Sequence, residues 1–72
     1  MSYRLKSGKY QELKLKYPRF RVGELAKKVG IKSCFMSLIL NRRRTCSKMT
    51  AYCIVKAIDS ELEIDDLFDR ER

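Results

Sequence analysis

The stretch Glu24–Arg44, ELAKKVGIKSCFMSLILNRRR, decides how this chain is read. Val22, Leu25, Ala26 and Val29 fall at i, i+3, i+4 and i+7, which predicts an amphipathic helix over about 22–29. Gly30 stands where a helix-ending glycine belongs, because the left-handed backbone of that position suits a residue without Cβ. The apolar pattern then resumes at once. A second helix is expected from Lys32 or Ser33 to about Leu40, with Met36, Ile39 and Leu40 on its buried side. Asn41 tolerates a positive φ and is expected to end it. Three consecutive arginines, Arg42, Arg43 and Arg44, follow directly.

Two short helices joined by a glycine-centred turn describe a helix-turn-helix. The small side chain of Ala26 lets the second helix cross close over the first, and Ile31, Met36 and Ile39 lock that crossing by burial. The outward stripe of the second helix is then Ser33, Cys34, Ser37 and Leu38. It is small and uncharged, which suits base edges on the floor of a DNA groove. Cations stand on both sides, Lys32 before it and Arg42, Arg43 and Arg44 after it, which suits phosphates. A helical hairpin that only packs has no use for that arrangement.

The rest of the chain extends the helical pattern. Ser7 is a candidate cap for a first helix carrying Tyr10, Leu13 and Tyr17, and Pro18 ends that helix near Lys16. Ser47 or Thr50 caps a helix whose inner stripe is Ala51, Ile54, Val55 and Ile58. The segment IDDLF makes a final turn, with Ile64, Leu67 and Phe68 closing the core. No five-residue alternation of β type competes, so the expected fold is all-α, a compact bundle of about five short helices. Leu25, Ala26, Val29, Ile31, Met36, Ile39, Ile54, Val55 and Leu67 are the expected buried set, with Cys53 in the core and Phe35 at its edge. The 72 residues read as one domain, 1–72, with a core over about 7–68 and an acidic end over 59–72.

Charge is distributed unevenly. Of 17 Lys and Arg, 15 lie in residues 1–58, against only Glu12 and Glu24. Residues 59–72 carry the other seven acids and two arginines. A basic body of this kind calls for a polyanion, with nucleic acid ahead of an anionic membrane. Cys34, Cys46 and Cys53 are odd in number, form no Cys-x-x-Cys and have no His beside them, which argues for reduced thiols and against a zinc site. No glycine-rich phosphate loop, nucleophile–base pair or metal-ligand spacing points to an enzyme, and Asp65-Asp66 diverge on a helix. No catalytic residue, metal or cofactor is expected. The first residues carry charge where a signal peptide needs an apolar run, and no window is long and apolar enough for a membrane span.

The run ELAKKVGIKSCFMSLILN, with Leu25-Ala26, Val29-Gly30-Ile31, Ser37, Ile39 and Asn41, resembles the helix-turn-helix of the Cro/phage-repressor superfamily, including small regulators of prophages and mobile elements. The likeness continues through the fourth helix and LEIDDLF, over roughly 10–68. It implies a five-helix, lambda-repressor-like DNA-binding domain with the third helix, 33–40, in the major groove. The implied base-reading positions are Ser33, Cys34, Ser37, Leu38 and Arg44. The implied phosphate contacts are Arg21, Val22, Lys32, Asn41, Arg42, Arg43 and Lys48.

This chain departs from that pattern at four points. Arg21-Val22 stands where Thr-Gln is common, so Arg21 and the free N–H groups of the helix take over phosphate binding. Lys32 replaces a Ser or Thr cap, leaving Ser33 as an alternative cap. Arg42 replaces a frequent Gly, with Asn41 expected to take the positive φ. The reading face lacks Gln, Asn and Arg, which shifts specificity toward Arg44, contact of Leu38 with thymine methyl, and DNA shape.

The expected function is therefore a sequence-specific, double-stranded-DNA-binding transcription regulator, a repressor ahead of an activator, in the cytoplasm of a bacterium or encoded by a phage. An architectural or excision factor that bends DNA is the alternative of the same class, and a non-enzymatic protein-binding adaptor that of another. A homodimer is open, as is contact of the acidic end with RNA polymerase or a regulator. That end otherwise reads as a solvated face that tempers non-specific DNA binding, and deletion of 69–72, which removes two acids and two arginines, is expected to change that binding little.

Overall fold

The computed structural model describes residues 2–71. In chain order the elements are β1 (Ser2–Leu5), α1 (Lys9–Lys16), α2 (Val22–Val29), α3 (Ser33–Leu40), α4 (Lys48–Ile58), α5 (Ile64–Leu67) and β2 (Phe68–Glu71). The α2–turn–α3 unit falls on the residues whose periodicity predicted it. Gly30 closes α2 with φ 86°. The N–H groups of Gly30 and Ile31 both donate to the Ala26 carbonyl, at 2.8 and 3.0 Å, so the reversal is hydrogen-bonded as well as permitted. Ala26, Met36, Ile39 and Leu40 are fully buried beneath it, while Val29 and Ile31 are only half-buried at its edge.

Local chemistry sets the other helix ends. The Ser47 hydroxyl accepts the Thr50 N–H at 3.2 Å and starts α4. α1 starts after Gly8, which has φ 78°, and not on a Ser7 cap. Glu63 and Asp66 cap α5 reciprocally. Tyr17, just past α1, donates its hydroxyl to Asp59 Oδ2 at 3.0 Å and ties the end of α1 to the end of α4.

The all-α expectation is corrected by a two-stranded antiparallel sheet of β1 and β2. Its register pairs Ser2 with Glu71, Tyr3 with Arg70, Arg4 with Asp69 and Leu5 with Phe68. In β1, Tyr3 and Leu5 point inward while Ser2 and Arg4 are only half-buried. That is a period-two strand, but it is four residues long and contributes just two apolar side chains. In β2 only Phe68 is buried. Phe68 was expected at the end of the last helix; it is the first residue of a strand, and its ring still closes the core.

Residues 68–71 of the acidic end therefore form half of the sheet, with Asp69 and Arg70 exposed. Arg4 Nε bonds Glu71 Oε1 at 2.6 Å, and Lys6 Nζ lies 4.0 Å from Asp69 Oδ1. The core runs from Tyr3 and Leu5 through Leu13, the α2–α3 contact and Ile54 and Val55 to Leu67 and Phe68. Cys53 lies half-buried beside it. No helix among the described residues is long and apolar enough to cross a membrane.

Two outcomes follow. Phe68→Ala should cost about 3–5 kcal/mol in a urea melt, a large part of what a domain this small has to lose. Deleting 69–72, which removes three of the four β2 residues, should lower the melting midpoint clearly, the reverse of what an unstructured tail would do.

Candidate nucleic-acid interface

The α2–turn–α3 unit presents α3 as an outer edge of the molecule. Ser33 and Cys34 are exposed on its first turn, and Ser37 and Leu38 are half-buried one turn later. The expected stripe thus exists, but its second half is partly covered. Asn41 accounts for some of the cover at Ser37. Its side-chain amide donates to the Ser37 carbonyl at 2.8 Å and lies 3.3 Å from the Ser37 hydroxyl. Lys32, not Ser33, is the residue before α3, and no side chain caps the helix there. Ser33 is accordingly free to face a ligand. Nor does any side chain cap α2, where Arg21 is the N-cap residue and Val22 opens the helix half-buried. The first N–H groups of α2 consequently have no side-chain acceptor, and Glu24 is the one acid in that turn.

The segment that contains α3 is rich in cations. Residues 19–48 hold nine Lys and Arg and a single acid, Glu24. The ion pairs among the described residues are Arg4–Glu71, Lys6–Asp69, Lys9–Glu12 and Lys56–Glu63, all outside that segment. Arg21, Lys32, Arg43, Arg44 and Lys48 are exposed and, among the described residues, have no carboxylate within ion-pair distance. A surface left positive in this way attracts a polyanion over a Debye length. Sequence reading passed over Arg19 and Lys28, which join Arg21 around a shallow concavity of about 210 Å³ floored by Leu25, Ala57 and Ile58. Their signal was the charge count of this segment.

The loop after α3 has a different construction from the one expected. Asn41 ends α3 with φ −87°, and the positive φ belongs to Arg42, at 62°. Side-chain bonding accounts for the exchange: Asn41 folds back onto Ser37, and Arg42 turns toward the sheet. Arg42 Nε donates to the Leu5 carbonyl at 2.8 Å, and the Arg4 guanidinium donates to the Arg42 carbonyl. Four residues after Arg42, Cys46 exchanges backbone hydrogen bonds with Tyr3, both at 2.8 Å. β1 is thus paired with β2 on one edge and with the loop on the other. Arg43 and Arg44 lie in the span between these two attachments, so the sheet holds them in place. Arg42 itself is a fastening as well as a cation. Arg4, which the sequence gave no reason to single out, is bonded to both Arg42 and Glu71.

Burial lifts the Cys46 thiol to about 11, which keeps it protonated and unreactive beside Tyr3. Cys34 is exposed on α3. No cluster of His, Cys, Asp and Glu that could hold a metal ion occurs among the described residues. Comparison with protein-family models, with curated proteins and with solved structures finds no match.

The fastening is open to test. Arg42→Ala loses the bond to Leu5 but keeps a non-glycine residue at positive φ, whereas Arg42→Gly loses the same bond and relieves the backbone. Arg42→Gly should be the more stable of the two by about 1 kcal/mol. Iodoacetamide on the folded protein should label Cys34 first and leave Cys46 unmodified until denaturant is added, read by peptide mass mapping.

Proposed function

We propose that this protein is a sequence-specific DNA-binding transcription regulator that lays α3 in the major groove of double-stranded DNA, acting as a repressor inside a bacterial cell or from a phage genome. The observation that carries the reading is the placement of one exposed, uncharged helical turn, Ser33 and Cys34, between cations that no carboxylate neutralises. An edge of this kind has small side chains at the depth of the bases and charge at the height of the backbones.

In this reading Arg21 and the uncapped N–H groups of α2 take one phosphate strand, a favourable arrangement because a helix N-terminus is partly positive. Lys32, Arg43 and Lys48 take phosphates on either side of α3. Arg42 adds its outer nitrogens there, because only its Nε is committed to Leu5. Arg44 reaches a base edge from the loop, and Leu38 meets a thymine methyl with the part of its side chain that stays exposed. Asn41, bonded to Ser37, steadies the end of α3 beside the backbone. No hydrogen-bonding side chain longer than Ser lies on the exposed turn of α3, so sequence preference draws on Arg44 and on DNA shape as much as on direct readout.

Selection from a pool of random double-stranded DNA, followed by sequencing, tests the reading; recovery of no preferred sequence sinks it. Substitutions then separate positioning from reading. Arg43→Ala should weaken binding to all sequences alike and reduce the salt slope by about one. Arg44→Ala should change the preferred base at one or two positions, by about 1–3 kcal/mol if the guanidinium pairs bidentately with guanine. Leu38→Ala should erase a preference for thymine over uracil. Uniform losses from all three would replace the sequence-specific regulator with a DNA-bending architectural factor.

A further inference from the structure

The C-terminal end of α3 closes in a Schellman motif, and the residue at its left-handed position is not glycine. The Arg42 N–H donates to the Ile39 carbonyl at 3.1 Å, and the Arg43 N–H to the Leu38 carbonyl at 2.9 Å. Arg42 takes the left-handed position itself, at φ 62°. A side chain there is disfavoured relative to glycine, and nothing within the motif offsets that. Two bonds from β1 do. Arg42 Nε donates to the Leu5 carbonyl, and the Arg42 carbonyl accepts from the Arg4 guanidinium.

The second of these bonds acts on more than Arg42. The Arg42 carbonyl and the Arg43 N–H belong to one planar peptide unit. Leu38 of α3 holds its N–H, and Arg4 of β1 holds its carbonyl. Among the described residues that carbonyl accepts no other hydrogen bond. A peptide unit held at both ends is not free to flip. The next fixed point along the loop is Cys46, through Tyr3. Arg44 is the middle residue of the span 43–45 between those two posts, so its direction depends on how the first post is set.

Arg4 is aimed in turn by Glu71. Its Nε donates to Glu71 Oε1 at 2.6 Å, while its Nη1 is the atom on the Arg42 carbonyl. A guanidinium is planar, so anchoring Nε fixes where Nη1 points. The two side chains are 31% and 41% exposed, and an ion pair that open contributes little to overall stability. The loop uses its geometry.

We infer that Arg4, aimed by Glu71, is a positioning residue. Neither residue belongs to the set that faces DNA, yet together they set the 42–43 peptide and thereby present Arg43 and Arg44. Only the role of Arg44 once presented rests on the DNA-binding reading. A phosphate contact by Arg4 would have the opposite signature at Glu71, because removing the acid would free a cation and strengthen DNA binding. Under positioning, loss of either residue acts in the same direction on base preference.

The test uses Arg4→Ala, Arg4→Lys and Glu71→Ala, with Asp69→Ala as control. The control removes an acid from the same strand, one whose ion-pair partner is Lys6 and not Arg4. On the DNA-free protein, amide hydrogen exchange followed by NMR reads the clamp. The Arg43 N–H should exchange about tenfold faster in the three variants, while the Tyr3 N–H keeps the parent rate. A pair that merely stapled the sheet would speed both. On operator variants, the same three should lose about fivefold of the preference at the positions that Arg44→Ala alters. Preference is a ratio between sequences, so the general gain in affinity from removing an acid cancels. Asp69→Ala should match the parent in both arms. Arg4→Lys keeps the charge without the fork and should not rescue. The inference is overturned if the Arg43 rate is unchanged, if the Arg43 and Tyr3 N–H groups speed up together, or if Arg4→Lys or Asp69→Ala departs from its expected behaviour. It is equally overturned if Glu71→Ala keeps the base preference of the parent. A parent that selects no DNA sequence would sink the regulator reading instead, and the exchange rates alone would then decide the clamp.

Discussion

The pairing of Leu5 with Phe68 is the contact on which the rest of this protein depends. Both side chains are almost fully buried, and both come from strands that are too short to stand alone. What stabilises the strands is the helical core beneath them. What β1 provides in return is cover for α3 and α4, and a backbone edge for the loop after α3. Without β2, β1 would lose its antiparallel ladder. Without β1, the loop of Arg42–Cys46 would lose the Leu5 carbonyl and the Tyr3 peptide that hold it.

The α2–turn–α3 unit was legible because its information is local. The apolar periodicity of 22–29, the glycine at 30 and the apolar side of 33–40 each constrain residues within a turn or two of themselves. The sheet was not legible for the opposite reason. Tyr3 and Leu5 alternate with Ser2 and Arg4, but two buried residues are too few to distinguish a strand from a helix start. Phe68-Asp69-Arg70-Glu71 has one apolar residue and reads as a charged end. Only their meeting across the whole chain makes them strands, and pairing over that separation leaves no periodic trace. Phe68 was read as a core residue and assigned to the wrong element, which shows that burial is easier to infer than backbone geometry.

The candidate interface divides in the same way. That Arg21, Lys32, Arg43, Arg44 and Lys48 belong to a stretch dominated by cations was legible in the charge count, and all five are exposed with no ion pair among the described residues. The different fates of Asn41 and Arg42 did not follow, because asparagine is the commoner residue at positive φ and the tie from Arg42 to Leu5 spans 37 positions. The covered state of Ser37 was hidden for a related reason: its partner, the Asn41 amide, had been allotted a role outside the helix. Met49 and Tyr52 fall off the Ala51, Ile54, Val55 and Ile58 stripe, so the helical period itself sets them outward, and both are exposed.

The double pairing of β1 sets an order of assembly. The α2–α3 reversal joins neighbours in sequence and has a short loop to close, whereas α2 meets α4 across the length of α3. The register of Ser2 with Glu71 joins residues separated by nearly the whole described chain, and that closure is the slower one. The α3 edge is therefore the early part of this molecule, and the Arg42–Cys46 loop, which waits on β1, is the late part. The same order reversed describes local opening. When the sheet frays, the Leu5 and Tyr3 attachments of the 42–46 loop go with it, while the bond from the Arg43 N–H to the Leu38 carbonyl remains, so the order of the loop rests on the two strands beside it.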